Sequence, residues 1–176
     1  LARTYVVGRE VAPEKQHIFD ALLAGFDAGM GMIGPGVKLS DAFGHILEVI
    51  RSHNLPTYVR GHFGHTTGSG LTEDYPMICA KTDEVFQPGM VFCLETPYYS
   101  SKHDSYNLED EFVITETGME RFTHINRSLI VEYPVWAIRR GTPRRRTCRR
   151  WGAIEINRIT GAAARKAFGA CTLSIV

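Results

Sequence analysis

Apolar positions along this 176-residue chain shift from a two-residue period to a helical one and back again. Residues 2–7 alternate and are β-branched, which predicts a strand ending at Gly8. Pro13 then opens a stretch in which Ile18, Ala21, Leu22, Gly25, Phe26 and Gly29 recur at helical spacing, so a helix is predicted to about Ile33. Gly34-Pro35-Gly36 stops it and turns the chain. Ser40 is the expected N-cap of a second helix, with Phe43, Ile46, Leu47 and Ile50 on its apolar face and an end near Asn54, before Pro56. Residues 60–76 are rich in Gly, His and Thr and lack apolar periodicity, so they read as a loop with short strands. Gln87-Pro88-Gly89 is a turn, and Met90-Val91-Phe92-Cys93-Leu94 after it is short enough for a buried strand that ends on Glu95. Another strand lies within 106–116, followed by a turn at Thr117-Gly118. One strand, two helices and then several strands predict an α+β fold, with helices packed on a mostly antiparallel sheet.

Composition is that of an ordinary globular domain, 44% hydrophobic and 22% charged. No apolar run approaches the ~18 residues of a membrane span. No signal peptide is visible, and the absence of an initial Met leads us to expect a fragment whose start is missing. Cys79, Cys93, Cys148 and Cys171 form no C-x-x-C pair, which excludes a zinc ribbon or a thioredoxin motif. Cys79 and Cys93 sit in apolar stretches and read as buried free thiols, which fits a reducing, cytoplasmic compartment.

The net charge of +1 hides an asymmetry: 1–133 carries ten Lys/Arg against eighteen Asp/Glu, and 134–176 ten Lys/Arg against one acid, Glu155. We therefore divide the chain into an acidic body, 1–133, and a basic tail, 134–176, expected to be disordered or translated out of frame. The arginine cluster in 139–150 has few interleaved aromatics, so nucleic-acid binding is the less favoured reading.

Polar residues at three places carry candidate chemistry. In Gly61-His62-Phe63-Gly64-His65 the glycines permit tight backbone paths that bring two imidazoles near a substrate or ion. Glu95 closes a strand too apolar to leave a charge unpaired; it is either a strand end reaching solvent or a metal ligand or base. In Glu109-Asp110-Glu111 the two glutamates share one face of a strand and Asp110 takes the other. Alone this is a solvated acidic run. Beside one His and another Glu it suits an oxygen-rich divalent site for manganese, cobalt, iron or zinc.

Gly61-His62-Phe63-Gly64-His65-Thr66-Thr67-Gly68, Phe86-Gln87-Pro88-Gly89-Met90-Val91-Phe92-Cys93-Leu94-Glu95-Thr96-Pro97 and Leu108-Glu109-Asp110-Glu111-Phe112-Val113-Ile114-Thr115-Glu116-Thr117-Gly118 resemble, in order and spacing, the successive signatures of the creatinase, Xaa-Pro aminopeptidase, prolidase and methionine aminopeptidase superfamily. Ala2-Arg3-Thr4-Tyr5-Val6-Val7-Gly8 fits as well, and the resemblance covers about 1–131. It implies the C-terminal part of a curved pita-bread fold. It also implies a two-ion centre held by two Asp, one His and two Glu. His65, Glu95 and Glu109 match the last three of these ligands, and the second Asp would directly precede Leu1. His62 matches a histidine that holds substrate or the tetrahedral intermediate, and Glu95 a carboxylate that shuttles a proton.

The implied activity is metal-dependent hydrolysis of Xaa-Pro peptides, with manganese the first choice of ion and a homodimeric intact protein acting on a small peptide or small molecule. One departure is Thr72, where peptidases of this group carry a histidine, which leaves proline-peptide specificity open. Creatine hydrolases keep the same His and Glu positions without a metal and grip a guanidinium, so a C–N hydrolase of a small non-peptide substrate is the second reading. A non-catalytic binding module of the same fold is the third.

Overall fold

The computed structural model describes residues 1–8, 10–68, 74–132 and 171–175. The chain begins with strand β1 (Arg3–Val7), followed by helices α1 (Pro13–Met32) and α2 (Leu39–Ser52). Then come β2 (Gly64–Thr66), β3 (Asp74–Met77), β4 (Val91–Glu95), β5 (Tyr98–Ser100), β6 (Asp104–Tyr106), β7 (Glu109–Ile114), β8 (Met119–Arg121), β9 (Ile130–Glu132) and β10 (Cys171–Ile175). Among the described residues, a five-stranded sheet runs β3-β2-β4-β7-β8, all antiparallel. A three-stranded sheet runs β10-β1-β9, in which only β1 and β9 are parallel, and β5 and β6 form a hairpin. The predicted α+β class with a mostly antiparallel sheet is what the chain adopts. The reading of 134–176 as a separate tail falls on residues outside those described, apart from β10, whose backbone pairs with β1.

Both helices lie where the apolar spacing puts them, and they approach closely because α1 carries a glycine notch. A Cβ on Gly25 would stand 2.3 Å from the Ile50 side chain, and one on Gly29 would stand 2.7 Å from Ile46. Phe19, Leu22 and Phe26 of α1 and Leu39, Phe43, Ile46 and Ile50 of α2 are buried against Phe92, Leu94, Phe112 and Ile114 of the sheet. Burying side chains of this size contributes roughly 1.5–3 kcal/mol each, which is what fixes the helices to this face. Phe92 and Phe112 are register partners with stacked rings 6.2 Å apart.

The start of α2 differs from expectation. Its N-cap is Lys38 rather than Ser40, and no side chain caps it. Backbone pairing does that work: the Leu39 amide donates to the Glu84 carbonyl (3.0 Å) and the Phe86 amide to the Val37 carbonyl (2.9 Å). The far end of α2 stops near Asn54 as predicted, with Asn54 itself left-handed (φ 64°). Cys93 is buried as expected, whereas Cys79 is only half-buried; both are free thiols. Among the described residues no helix is long and apolar enough to cross a membrane.

Candidate metal-facing site

Register places the sequence-selected residues on one surface. His65 on β2 lies opposite Cys93 on β4, Cys93 lies opposite Glu111 on β7, and Glu95 lies opposite Glu109. Alternation along β4 and β7 then sets His65, Cys93, Glu95, Glu109 and Glu111 on one face. Phe92, Leu94, Asp110, Phe112 and Ile114 take the other, beneath the helices. Asp110, not the glutamates, is therefore the acid that enters the core side, where it is wholly buried against Arg3.

The local path depends on Gly64. Its φ is +152°, and a Cβ there would stand 2.0 Å from the Cys93 carbonyl oxygen, so β2 can approach β4 only with glycine at this position. The Glu95 amide donates to the Phe63 carbonyl (2.8 Å), which anchors the end of β4 to the histidine loop. The His62 and His65 rings meet edge-on, 6.4 Å between centroids. His62 Nδ1 lies 3.6 Å from Glu95 Oε1. His65 Nδ1 lies 2.9 Å from the Thr66 carbonyl oxygen. With the proton on Nδ1, that contact leaves Nε2 as the lone-pair nitrogen, the arrangement metal-binding histidines use.

The Glu95 carboxylate holds a cationic group. Arg60 Nη2 donates to Glu95 Oε1 at 2.7 Å, and Arg60 Nε donates to the His62 carbonyl at 3.0 Å. Cys93 shares the face of Glu95 and Glu109, with its thiol pushed up to about 12, first by burial and further by Glu109 and Glu95, against the His65 backbone amide, which favours the thiolate. It is a neutral part of the floor at ordinary pH. Burial likewise raises the Tyr58 phenol, whose hydroxyl donates to the Pro97 carbonyl at 2.7 Å.

His62, His65, Glu95 and Glu109 thus gather at one end of the central strands. Among the described residues, however, no three His, Cys, Asp or Glu side chains converge tightly enough to hold an ion. The donor chemistry, one imidazole and two carboxylates, is of the kind that divalent cations take. Thr72 lies outside the described residues. Arg60 is the residue bordering these side chains that the sequence reading missed. An acid ending a buried strand must find a counter-charge, and Arg60 stands in the adjoining loop, but a partner 35 positions away is not specified by spacing.

Comparison with known proteins bears on the fold and the family. The uncharacterized peptidase YqhT of Bacillus subtilis (strain 168) is 29% identical over 136 residues, covering 74% of this chain and 36% of that protein. Dipeptidase PepE from Mycobacterium ulcerans superposes with a TM-score of 0.68 at 26% identity, over 73% of this chain and 34% of that one. The Xaa-Pro dipeptidase from Bacillus anthracis gives 0.68 at 25% identity, over 74% and 36%. The chain therefore spans about a third of the length of the relatives it matches. The family model of metallopeptidase family M24 matches residues 1–116, and with the pita-bread likeness of its neighbours this shows that the chain belongs to the M24 metallopeptidase family.

Proposed function

We propose that this chain is the C-terminal part of the catalytic domain of a metal-dependent hydrolase of the Xaa-Pro peptidase type, with His65, Glu95 and Glu109 as metal ligands. The observation that carries the reading is the register itself, which sets Glu95 directly opposite Glu109 and His65 on the same face. The names of two solved relatives, a dipeptidase and an Xaa-Pro dipeptidase, support the substrate class. When bound, a divalent ion such as manganese would supply a water of lowered pKa and stabilise the developing oxyanion. In this reading His62, within 3.6 Å of Glu95, would hold the substrate carbonyl, and Glu95 would take up a proton.

The test is metal content and Xaa-Pro dipeptide hydrolysis of the full-length protein. His65→Ala and Glu109→Gln should each lower kcat/KM by about a hundredfold or more and reduce the bound metal. Hydrolysis undiminished by both changes would end this reading.

A second reading, a metal-free C–N hydrolase of a small cationic compound, has one observation in its favour: Glu95 already grips a guanidinium, that of Arg60. Activity on a guanidino substrate that survives exhaustive chelation would select it over the peptidase.

A further inference from the structure

Arg60 leaves the backbone from a segment that is fixed on both sides. Before it, the Tyr58 hydroxyl donates to the Pro97 carbonyl at 2.7 Å. After it, the Phe63 carbonyl accepts the Glu95 amide at 2.8 Å. Residues 58–63 are thus tied at two points to the end of β4 and the chain just beyond it. From there the Arg60 side chain spans two partners. Its Nε donates to the His62 carbonyl at 3.0 Å and its Nη2 to Glu95 Oε1 at 2.7 Å. The His62 ring approaches the same oxygen, with Nδ1 3.6 Å away. All three side chains are largely shielded from solvent.

Two donors on one planar group fix more than a distance. The Nε and Nη2 of a guanidinium are rigidly related. Holding the His62 carbonyl on one and Glu95 on the other sets the His62 backbone against the Glu95 carboxylate. Glu109 stands opposite Glu95 in register, and like charges directly opposite across a strand pair repel. The guanidinium opposes that push and keeps the Glu95 carboxylate beside His62.

We propose that Arg60 is a positioning residue that sets His62 and Glu95 in the relative placement the reaction needs. It acts through the His62 carbonyl and the Glu95 carboxylate, not on the substrate. The inference rests on the reading above, in which His62 holds the substrate carbonyl and Glu95 takes up a proton. The contacts themselves require no ion on Glu95.

Steady-state hydrolysis of an Xaa-Pro dipeptide by the full-length protein tests this. Arg60→Ala should lower kcat about 10- to 100-fold, since small misplacements of reacting groups cost that much, and should leave KM within about threefold. Arg60→Lys offers one nitrogen to two acceptors, so it should recover only part of the loss, to within about tenfold of wild type. Millimolar guanidinium chloride, far below denaturing levels, should raise the kcat of Arg60→Ala about tenfold, and sodium chloride at the same concentration should not. A small cation would not replace a residue that merely supports the fold. A second measurement needs no turnover. In the metal-free protein the NMR signal of the Arg60 Nε–H should exchange with solvent at least about tenfold more slowly than that of free arginine, and Glu95→Gln should weaken this protection. Unchanged kcat in Arg60→Ala, or a loss that guanidinium does not relieve, overturns the positioning role and leaves the peptidase reading intact. A loss carried by KM alone makes Arg60 a substrate contact and overturns the role as well. An Nε–H that exchanges as fast as that of free arginine does the same. Wild-type protein that hydrolyses no Xaa-Pro dipeptide ends the peptidase reading, and this role with it.

Discussion

Two carboxylate–guanidinium pairs stand on opposite faces of the same sheet. Arg3 and Asp110 lie beneath the helices, with side chains 5% and 0% exposed. Arg60 and Glu95 lie on the other face, at 21% and 11%. The chemistry is the same and the surroundings differ. Around Asp110, Arg3 spends its remaining donors on the Ala2, Glu109, Ile125 and Asn126 carbonyls, Thr123 adds a hydroxyl bond at 3.2 Å, and Arg121 and Arg127 stand 3.8 and 3.9 Å away. That pair stitches β1, β7 and the segment after β8 together and has nowhere to go. The Arg60–Glu95 pair has one carbonyl bond and the His62 ring, 3.6 Å from Glu95, in support, and a groove beside it. A buried ion pair closed on all sides is architecture; one with an open side can serve binding.

The largest effect is expected at the closed pair. Asp110→Ala strands the Arg3 charge and should cost about 3–5 kcal/mol in urea unfolding of the full-length protein. Replacing both partners, Arg3→Met with Asp110→Leu, should recover much of the loss, because two apolar side chains leave no orphaned charge. A loss below about 1 kcal/mol for Asp110→Ala would mean that the pair is not closed.

Next comes the tight approach that builds the open face. Gly64→Ala would force a Cβ onto the Cys93 carbonyl oxygen at an unfavourable φ and should cost roughly 2–3 kcal/mol. It should weaken metal binding as well, by separating β2 from β4. Wild-type metal affinity in this variant would show that the His65–Glu95 spacing is not critical.

A smaller effect appears at alkaline pH. The ordinary thiol value is 9.0 and burial raises Cys93 to about 12. The unfolded thiol therefore ionises first, while the folded one keeps its proton. The Cys93 contribution to stability is complete below pH 9 and declines as pH rises toward 12, at up to about 1.4 kcal/mol per unit. Urea unfolding at pH 8 and pH 10 should show this decline in wild type and a smaller one in Cys93→Ala. Equal slopes would place the thiol in water.

The smallest change is expected at the open pair. Arg60→Gln should shift stability by no more than about 1 kcal/mol, since the pair is partly solvated and Glu95 can regain water. A loss as large as that of Asp110→Ala would erase the distinction between the two faces.

Much of the fold was legible because it is written in local periods. Helical spacing from Ile18 to Gly29 marked α1, the Val91-to-Leu94 run marked β4, and Pro88-Gly89 marked the turn before it. The Ser40 cap was misplaced because the start of α2 is held by residues 84–86, far along the chain, and not by its own side chains. At the candidate site the histidines and acids were legible from their unusual neighbours. Arg60 was not, because an arginine in a loop looks solvated until its partner is known.

Sequence alone determined that Glu109 and Glu111 share one face while Asp110 takes the other, since a strand alternates whatever surrounds it. It also determined, through ordered motifs, the superfamily to which the chain belongs. Only the tertiary structure decided which face became core. Arg3, 107 positions from Asp110, neutralises that acid beneath the helices and turns the glutamates outward, toward His65 and Arg60. The physical reason is that alternation is a short-range property of the backbone, whereas the face that is buried depends on the apolar surface and counter-charges that distant segments bring to it.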